Sequence, residues 1–293
     1  MIERVAIIGT GLIGASIGLA LKSLEEDSRI EVLGWDSKAS ELTRAVEIGA
    51  VDKALDAKDV CDPDVADVFV LATPVLPIMD WMERLAPGLA PSQLVTDVGS
   101  TKREIVERAR RLFNQPGRAR FLAGHPMAGK ESGGAGLAEA GLFRGAAWLF
   151  TSIEGPQSSQ RTDIEQEWIG LVERFGARVM ELGAERHDEV CAWVSHLPQM
   201  LSTALAALLE ETFAGDPDGM AAVQAIGGRA LRETTRLGSS PYSMWRDVAM
   251  TNAEPIAEAI AALEQRLQHV RENLRTPELR EEFRTANRFR EKR

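Results

Sequence analysis

The chain has 293 residues, with 34 Lys and Arg against 44 Asp and Glu, which gives a formal net charge of −10 at pH 7. This length accommodates two hydrophobic cores, and the acidic balance argues against nucleic acid or an anionic membrane as a partner. The two cysteines, Cys61 and Cys191, fit no disulfide framework or regular metal motif. The first strand begins at once and leaves no room for a signal peptide, so we expect a cytoplasmic protein.

The first stretch, residues 2–14, predicts a strand, a Gly-x-Gly-x-x-Gly turn and the start of a helix. The first glycine permits a tight turn, the second lets a pyrophosphate approach bare backbone, and the third lets the helix pack on the strand. The helix N-terminus then presents N–H groups to phosphate. The expected nucleotide contacts here are Gly9, Gly11, Leu12, Ile13 and Gly14.

An acidic residue follows the second predicted strand, residues 30–35. Asp36 stands 22 residues beyond Gly14, where a carboxylate can bind the ribose hydroxyls and repel a 2′-phosphate. We therefore expect NAD rather than NADP, although Lys38 softens that discrimination. Thr73 and Pro74 end the apolar strand 68–72, at the sheet edge where ligands bind.

Two polar positions follow later strands. Ser100 lies between strand 94–98 and helix 102–112, where its hydroxyl either caps the helix or faces the nicotinamide. His125 follows strand 121–123 and opens a glycine-rich loop, so it is either a catalytic histidine over the nucleotide cleft or a partner for loop backbone.

The pattern changes at Gly183. Residues 1–182 read as a dinucleotide-binding domain, and residues 183–293 as an all-helical domain with helices over 185–211, 219–236 and 243–274. The uncharged run 190–209 has membrane-spanning length, but its polar residues favour a helix in the core or at a subunit interface. Residues 276–293 form either a packed terminal helix or a frayed tail.

Two clusters in this helical region have open interpretations. Arg229, Arg232 and Arg236 share one predicted helical face, which is either anion-binding or a solvated face with ion pairs to neighbouring acids. His187 and Cys191, beside Asp188, are two candidate metal ligands without a third at fixed spacing, so we expect no metal.

Four blocks in order, residues 124–131, 195–199, 234–237 and 244–247, resemble the prephenate/arogenate dehydrogenase family of tyrosine biosynthesis. The resemblance covers about residues 2–275. It implies an α/β fold, in which an N-terminal Rossmann-type doubly wound sheet precedes an all-helical dimerisation domain, and hence a homodimer.

The resemblance also implies roles for single residues. His125 would be the catalytic histidine, assisted by Ser100 near the nicotinamide. The substrate-binding residues would be His196 and Arg236 at the carboxylates, Glu131 at the mouth of the site, Trp245 lining the pocket, and Arg232 at a position that is often basic.

The implied reaction is the NAD-dependent oxidative decarboxylation of prephenate to 4-hydroxyphenylpyruvate. Three alternatives remain at this stage: arogenate as substrate, a dehydrogenase or imine reductase acting on another small acid, and a non-catalytic NAD-binding sensor.

Overall fold

A computed structural model describes residues 1–24, 30–130, 132–153 and 161–292. Within these residues the strands form one eight-stranded sheet in the order β3-β2-β1-β4-β5-β6-β7-β8. The strands are β1 (Arg4–Ile8), β2 (Glu31–Trp35), β3 (Lys53–Ala54), β4 (Val68–Leu71), β5 (Leu94–Asp97), β6 (Arg120–Pro126), β7 (Ala147–Thr151) and β8 (Arg178–Glu181). In the described sheet, every pair is parallel except β6 with β7.

Helices cover both faces of this sheet and make up most of the chain after Gly183. They are α1 (Leu12–Lys22), α2 (Ala39–Glu47), α3 (Val75–Leu85), α4 (Arg103–Leu112), α5 (Asp163–Arg174), α6 (Ala184–Cys191), α7 (Leu197–Phe213), α8 (Pro217–Ile226), α9 (Arg229–Thr235), α10 (Tyr242–Thr251), α11 (Ala253–Glu272) and α12 (Glu278–Glu291). The predicted fold class is confirmed.

The alternation of side chains along β1 divides the sheet into two cores. Val5 and Ile7 join one buried cluster, whereas Ala6 and Ile8 join the other on the opposite face. The strand order reverses between β1 and β4, and ligands bind at the carboxyl ends of strands beside such a reversal. The topology therefore brings the residues after β1 and the residues after β4 to one crevice.

The three long helices predicted after Gly183 are each interrupted. A π-helical turn, Ala192–His196, separates α6 from α7; Gly227 and Gly228 separate α8 from α9; and Asn252 separates α10 from α11. The spacing of apolar residues alone does not reveal these breaks. The terminal stretch is helical as α12, but Phe283 and Phe289 are exposed on it.

The helical region caps two helices of the sheet region. Asp188 of α6 accepts hydrogen bonds from the backbone nitrogens of Lys102 (2.7 Å) and Arg103 (2.9 Å), where α4 begins. Asp247 of α10 accepts from the nitrogen of Leu76 (3.1 Å), in the first turn of α3. Both carboxylates are fully buried at the positive ends of helix dipoles. The N-cap interpretation of Ser100 was wrong, because α4 begins three residues later and Asp188 supplies the cap.

Two helical glycines provide a matched test of packing. A Cβ added at Gly18 in α1 would lie 2.1 Å from the carbonyl oxygen of Ala50, whereas a Cβ at Gly170 in α5 meets nothing within 4 Å. Gly18→Ala should lower the free energy of unfolding by about 1–3 kcal/mol through overpacking. Gly170→Ala should raise it by about 0.5–1 kcal/mol through helix propensity. Urea denaturation checks both, and equal effects would contradict the close packing of α1.

Candidate active site

The three glycines of the turn after β1 differ in whether the fold requires them. Gly9 has a positive φ of 98°, and a Cβ at Gly14 would lie 2.0 Å from the carbonyl oxygen of Gly9. Gly11 has an ordinary φ of −68°, and a Cβ added there meets nothing within 4 Å. Helix α1 has no side-chain cap and no acidic residue in its first turn. The turn therefore offers open space beside uncapped N–H groups, which fits a phosphate.

Asp36 follows β2 at the same edge of the sheet. Its carboxylate accepts hydrogen bonds from the backbone nitrogens of Thr10 (2.7 Å) and Lys38 (2.8 Å), which fix its orientation. An ionised carboxylate has about four acceptor sites, so two backbone donors leave capacity for ribose hydroxyls. Thr73 and Pro74 follow the neighbouring strand β4. The predicted nucleotide residues thus come together along one edge.

His125 on β6 lies at one end of a chain of buried polar side chains. Its Nδ1 is 2.9 Å from Nε2 of His187, and the Nδ1 of His187 is 2.8 Å from Oδ1 of Asp188. His187 and Asp188 are fully buried, and His125 is 8% exposed. We call these three residues the histidine relay.

The relay determines which nitrogen of His125 carries the proton. Asp188 accepts from two backbone N–H groups, so its carboxylate acts as an acceptor and the proton of the neutral His187 ring lies on Nδ1. Nε2 of His187 is then an acceptor, and Nδ1 of His125 must donate to it. This leaves Nε2 of His125 with a lone pair, which is the state that a general base needs.

Burial keeps the His125 imidazole neutral. It lowers the pKa of His125 well below the ordinary 6.5, and repulsion from His187 and from the buried Lys102 ammonium acts in the same direction. The pKa of His187 is also lowered, again chiefly by burial and against the opposing hydrogen bond to Asp188. An uncharged imidazole is therefore available at neutral pH.

His196, at the end of the π-helical turn, is oriented by Asn252. The amide nitrogen of Asn252 lies 2.9 Å from the carbonyl oxygen of Asp188 and 3.1 Å from Nδ1 of His196. Because a carbonyl only accepts, the Asn252 amide donates to both, and a neutral His196 carries its proton on Nε2. His196 is thus a hydrogen-bond donor. The Trp245 ring lies edge-on at 5.8 Å from it.

Two buried polar atoms next to His196 lack hydrogen-bond partners among the described residues, namely Trp245 Nε1 and Asn252 Oδ1. Buried polar groups are normally satisfied, and unpaired ones at a cleft indicate water or a ligand. The π-helical turn is also a feature that occurs often at functional sites.

A buried ion pair holds the segment that carries Ser100. Lys102 Nζ lies 2.6 Å from Asp97 Oδ2 and 2.8 Å from the carbonyl oxygen of Gly99. The second oxygen of Asp97 accepts from the nitrogen of Gly124 at 3.0 Å, directly before His125. The Ser100 segment and the His125 strand are therefore both held by the Asp97 carboxylate. Ser100 itself makes no hydrogen bond to another residue within the described part of the chain.

The predicted arginine cluster is more exposed than the histidines. Arg229 pairs with Glu233 (2.6 Å), which confirms the ion-pair interpretation for this residue. Helix α9 ends at Thr235, so Arg236 begins a 3₁₀ turn, and the prediction of one continuous helical face was wrong. Arg232 and Arg236 are both exposed. Glu131 lies outside the described residues.

Sequence reasoning did not find the partners that orient the two histidines. The sequence pattern marks His187 and Cys191, beside Asp188, only as two candidate metal ligands, and it indicates no role for Asn252 or Lys102. The adjacent His-Asp pair was the available signal for the relay. Nothing local marks Asn252, because its role depends on contacts with Asp188 and His196, which lie 64 and 56 positions away along the chain.

The burial of His196 predicts a pH-dependent stability. Burial lowers its pKa from the ordinary 6.5 to about 4. The unfolded chain therefore binds the proton first as the pH falls, and the folded state loses up to about 3 kcal/mol between pH 6.5 and pH 4. Denaturation across this range should give a shallower pH dependence for His196→Gln than for the wild type, whereas exposed His269→Gln should follow the wild type. Parallel wild-type and His196→Gln curves would contradict this assignment.

Comparisons with known proteins cover both halves of the chain. Residues 17–181 match the family described as prephenate dehydrogenase, nucleotide-binding domain. Residues 183–287 match the family described as prephenate dehydrogenase, dimerization domain. No helix in the described ranges is long and apolar enough to cross a membrane.

Individual relatives agree with these matches. The chain is 31% identical over 261 residues to prephenate dehydrogenase of Bacillus subtilis (strain 168), an alignment that spans 88% of this chain and 66% of that protein. The structure of A. aeolicus prephenate dehydrogenase in complex with hydroxyphenyl propionate and NAD⁺ is 26% identical and superposes with a TM-score of 0.87 over 100% of this chain and 98% of its own. Synechocystis arogenate dehydrogenase is 28% identical, with a TM-score of 0.75 and 99% of each chain covered.

Proposed function

The chain belongs to the prephenate dehydrogenase family, and we propose that it catalyses the NAD-dependent oxidative decarboxylation of prephenate to 4-hydroxyphenylpyruvate. The observation that carries this proposal is the histidine relay, which leaves a neutral His125 with a bare Nε2. The chain spans about two thirds of the length of its B. subtilis relative.

The reaction needs a base at one oxygen atom. Prephenate carries a hydroxyl and a hydrogen on ring C4 and a carboxylate on C1. As the hydride leaves C4, Nε2 of His125 takes the hydroxyl proton, and the C1–CO₂ bond breaks to form the aromatic ring. The proton then returns to the phenolate oxygen. General-base assistance of this kind contributes about 10²- to 10⁴-fold, and aromatisation supplies much of the driving force.

The glycine turn and Asp36 would hold the nucleotide, with its pyrophosphate beside Gly11 and its adenosine ribose on the carboxylate. When bound, NAD supplies the hydride acceptor. Ser100, held close to the His125 strand through Lys102 and Asp97, would contact the nicotinamide end or the substrate hydroxyl. Gly9, Leu12, Ile13, Gly14, Thr73 and Pro74 complete the proposed nucleotide set.

The substrate would be held by donors from the helical region. His196 would donate from Nε2 to a substrate oxygen, and Trp245 would line the pocket with its unpaired indole N–H. Arg236 would bind a carboxylate bidentately, with Arg232 adding positive potential. Glu131 would stand at the mouth of the site. Local cations and donors must outweigh the net charge of −10, because prephenate is a dianion.

The proposed unit is a homodimer. Several large apolar side chains of the helical region are exposed in the single chain, among them Trp193, Val194, Leu201 and Leu208 on and before α7. The uncharged run 190–209 is therefore only partly buried within one chain. A second copy of the chain would cover the apolar side chains that stay exposed. We place the domain boundary between residues 182 and 183, since β8 ends at Glu181 and α6 begins at Ala184.

Two alternatives stay open for experiment. Arogenate carries an amine in place of the side-chain keto group, and the likeness to an arogenate dehydrogenase favours testing it. A sensor that binds NAD without turnover is disfavoured by the relay, since a sensor needs no proton acceptor at this position.

Turnover of purified protein tests the proposal directly. NADH formation would be followed with prephenate and with arogenate, each with NAD and with NADP. Release of CO₂ with prephenate and NAD is the expected result, and faster turnover of arogenate would reassign the substrate. If protein shown to bind NAD turns over neither compound, the proposed function is wrong.

A further inference from the structure

A third ligand-type side chain lies against the histidine relay. Cys191 Sγ is 3.7 Å from Nε2 of His187, one helical turn away on α6. One ring nitrogen of His125, one of His187 and Sγ of Cys191 all lie within 4.8 Å of one another, and all three residues are buried. Sequence spacing supplied only the last two of these, so the missing third ligand comes from β6.

The spacing is close to that of a tetrahedral metal site. With Zn–N of about 2.0 Å and Zn–S of about 2.3 Å, tetrahedral angles put two nitrogens about 3.3 Å apart, and a nitrogen about 3.5 Å from the sulfur. The structure has 2.9 Å between the two nitrogens and 3.7 Å between Nε2 of His187 and the sulfur. Both of these distances lie within about 0.4 Å of the tetrahedral values.

The carboxylate next to His187 also suits a metal ion bound to that ring. Metal-binding histidines usually donate their other ring N–H to a carboxylate, which fixes the ring and strengthens the ligand. The Nδ1 of His187 has this contact with Asp188 at 2.8 Å. Two imidazoles and one thiolate favour Zn²⁺ and Co²⁺ over Mg²⁺ or Ca²⁺.

We propose that His125, His187 and Cys191 form a Zn²⁺ site whose occupation switches off the catalytic base. Zn²⁺ binding at Nδ1 of His125 moves the single proton of that neutral ring to Nε2, and the Cys191 thiol releases its proton to solvent. Nε2 then carries a hydrogen and cannot accept the proton of the substrate hydroxyl. The inhibition rests on the proposed function, whereas the metal binding does not.

Cobalt spectroscopy tests the site without reference to turnover. Chelator-treated protein titrated with Co²⁺ should develop a thiolate-to-cobalt charge-transfer band, and Zn²⁺ should abolish it by displacement. The chain has only two cysteines, Cys61 and Cys191. A band that persists in Cys61→Ser therefore belongs to Cys191, even if substitutions at Cys191 do not fold.

Where they fold, Cys191→Ser and Cys191→Ala should lose the band and bind Co²⁺ at least about 10-fold more weakly. A folded wild-type protein without a charge-transfer band, or a band that disappears in Cys61→Ser, would overturn the site.

Turnover in the presence of Zn²⁺ then tests the switch. Zn²⁺ should inhibit the wild type and Cys61→Ser alike, and EDTA should restore each to its own initial rate. Full activity with the cobalt-detected site occupied by Zn²⁺ would overturn the switch and would also remove His125 from the role of base. Absence of turnover before any metal is added would count against the proposed function and leave the cobalt result standing.

Discussion

Replacing His125 with Asn should lower kcat by about 10²- to 10⁴-fold. The amide keeps a polar side chain of similar reach at this buried position, but it cannot take the hydroxyl proton. Transition-state stabilisation is lost while ground-state contacts from the helical region stay, so KM should change much less. Steady-state kinetics with prephenate and NAD, together with an NAD-binding titration, measure the two quantities.

The exposed His269 offers the matched control, because His269→Asn removes a ring of the same type whose contacts, Glu282 and Asn273, are not part of the relay. Wild-type kinetics are expected for it. If His125→Asn retains more than about a tenth of the wild-type kcat, proton transfer to this residue is not part of the reaction.

Asp188→Asn should produce a loss of kcat of the same order, about 10²-fold or more, from a residue one histidine removed from the base. If the new amide N–H faces His187, Nδ1 of that ring must accept. Its Nε2 then carries the proton and donates to His125, which leaves Nε2 of His125 protonated. Asp188 also caps α4 through Lys102 and Arg103. An unsatisfied buried donor there should cost about 1–3 kcal/mol of stability.

Two comparisons separate positioning from simple damage. Asp247→Asn alters the other buried carboxylate that caps a helix across the two regions, so it should lose stability but keep the kcat of the folded protein. The double variant His125→Asn/Asp188→Asn should have nearly the kcat of His125→Asn alone, since both changes remove one function. Additive losses would show that Asp188 acts independently of the base.

The parts of this structure that follow from local pattern were predictable. Alternation along β1, the glycine turn and the acid after β2 each follow from rules acting within one strand, turn and helix. The order of the blocks around His125 and His196 identified the family, which the comparisons confirm.

What escaped prediction depends on contacts between distant segments. His125 and His187 are 62 positions apart, and Asn252 and His196 are 56 apart, so no window on the sequence contains both members of either pair. Of the two interpretations of Ser100, the helix cap was wrong for a related reason. A cap supplied by Asp188, from beyond the end of the sheet, cannot be seen in the residues around the start of α4.

The division of the relay between β6 and α6 bears on how the protein is made. Synthesis proceeds from the N-terminus, and domains generally fold as units in that order. A nascent chain that ends after the sheet carries the glycine turn and Asp36, yet it has neither His187 to fix the proton of His125 nor Asp188 to cap α4. Under the proposed function, catalysis would therefore begin only once the helical region has folded against the sheet.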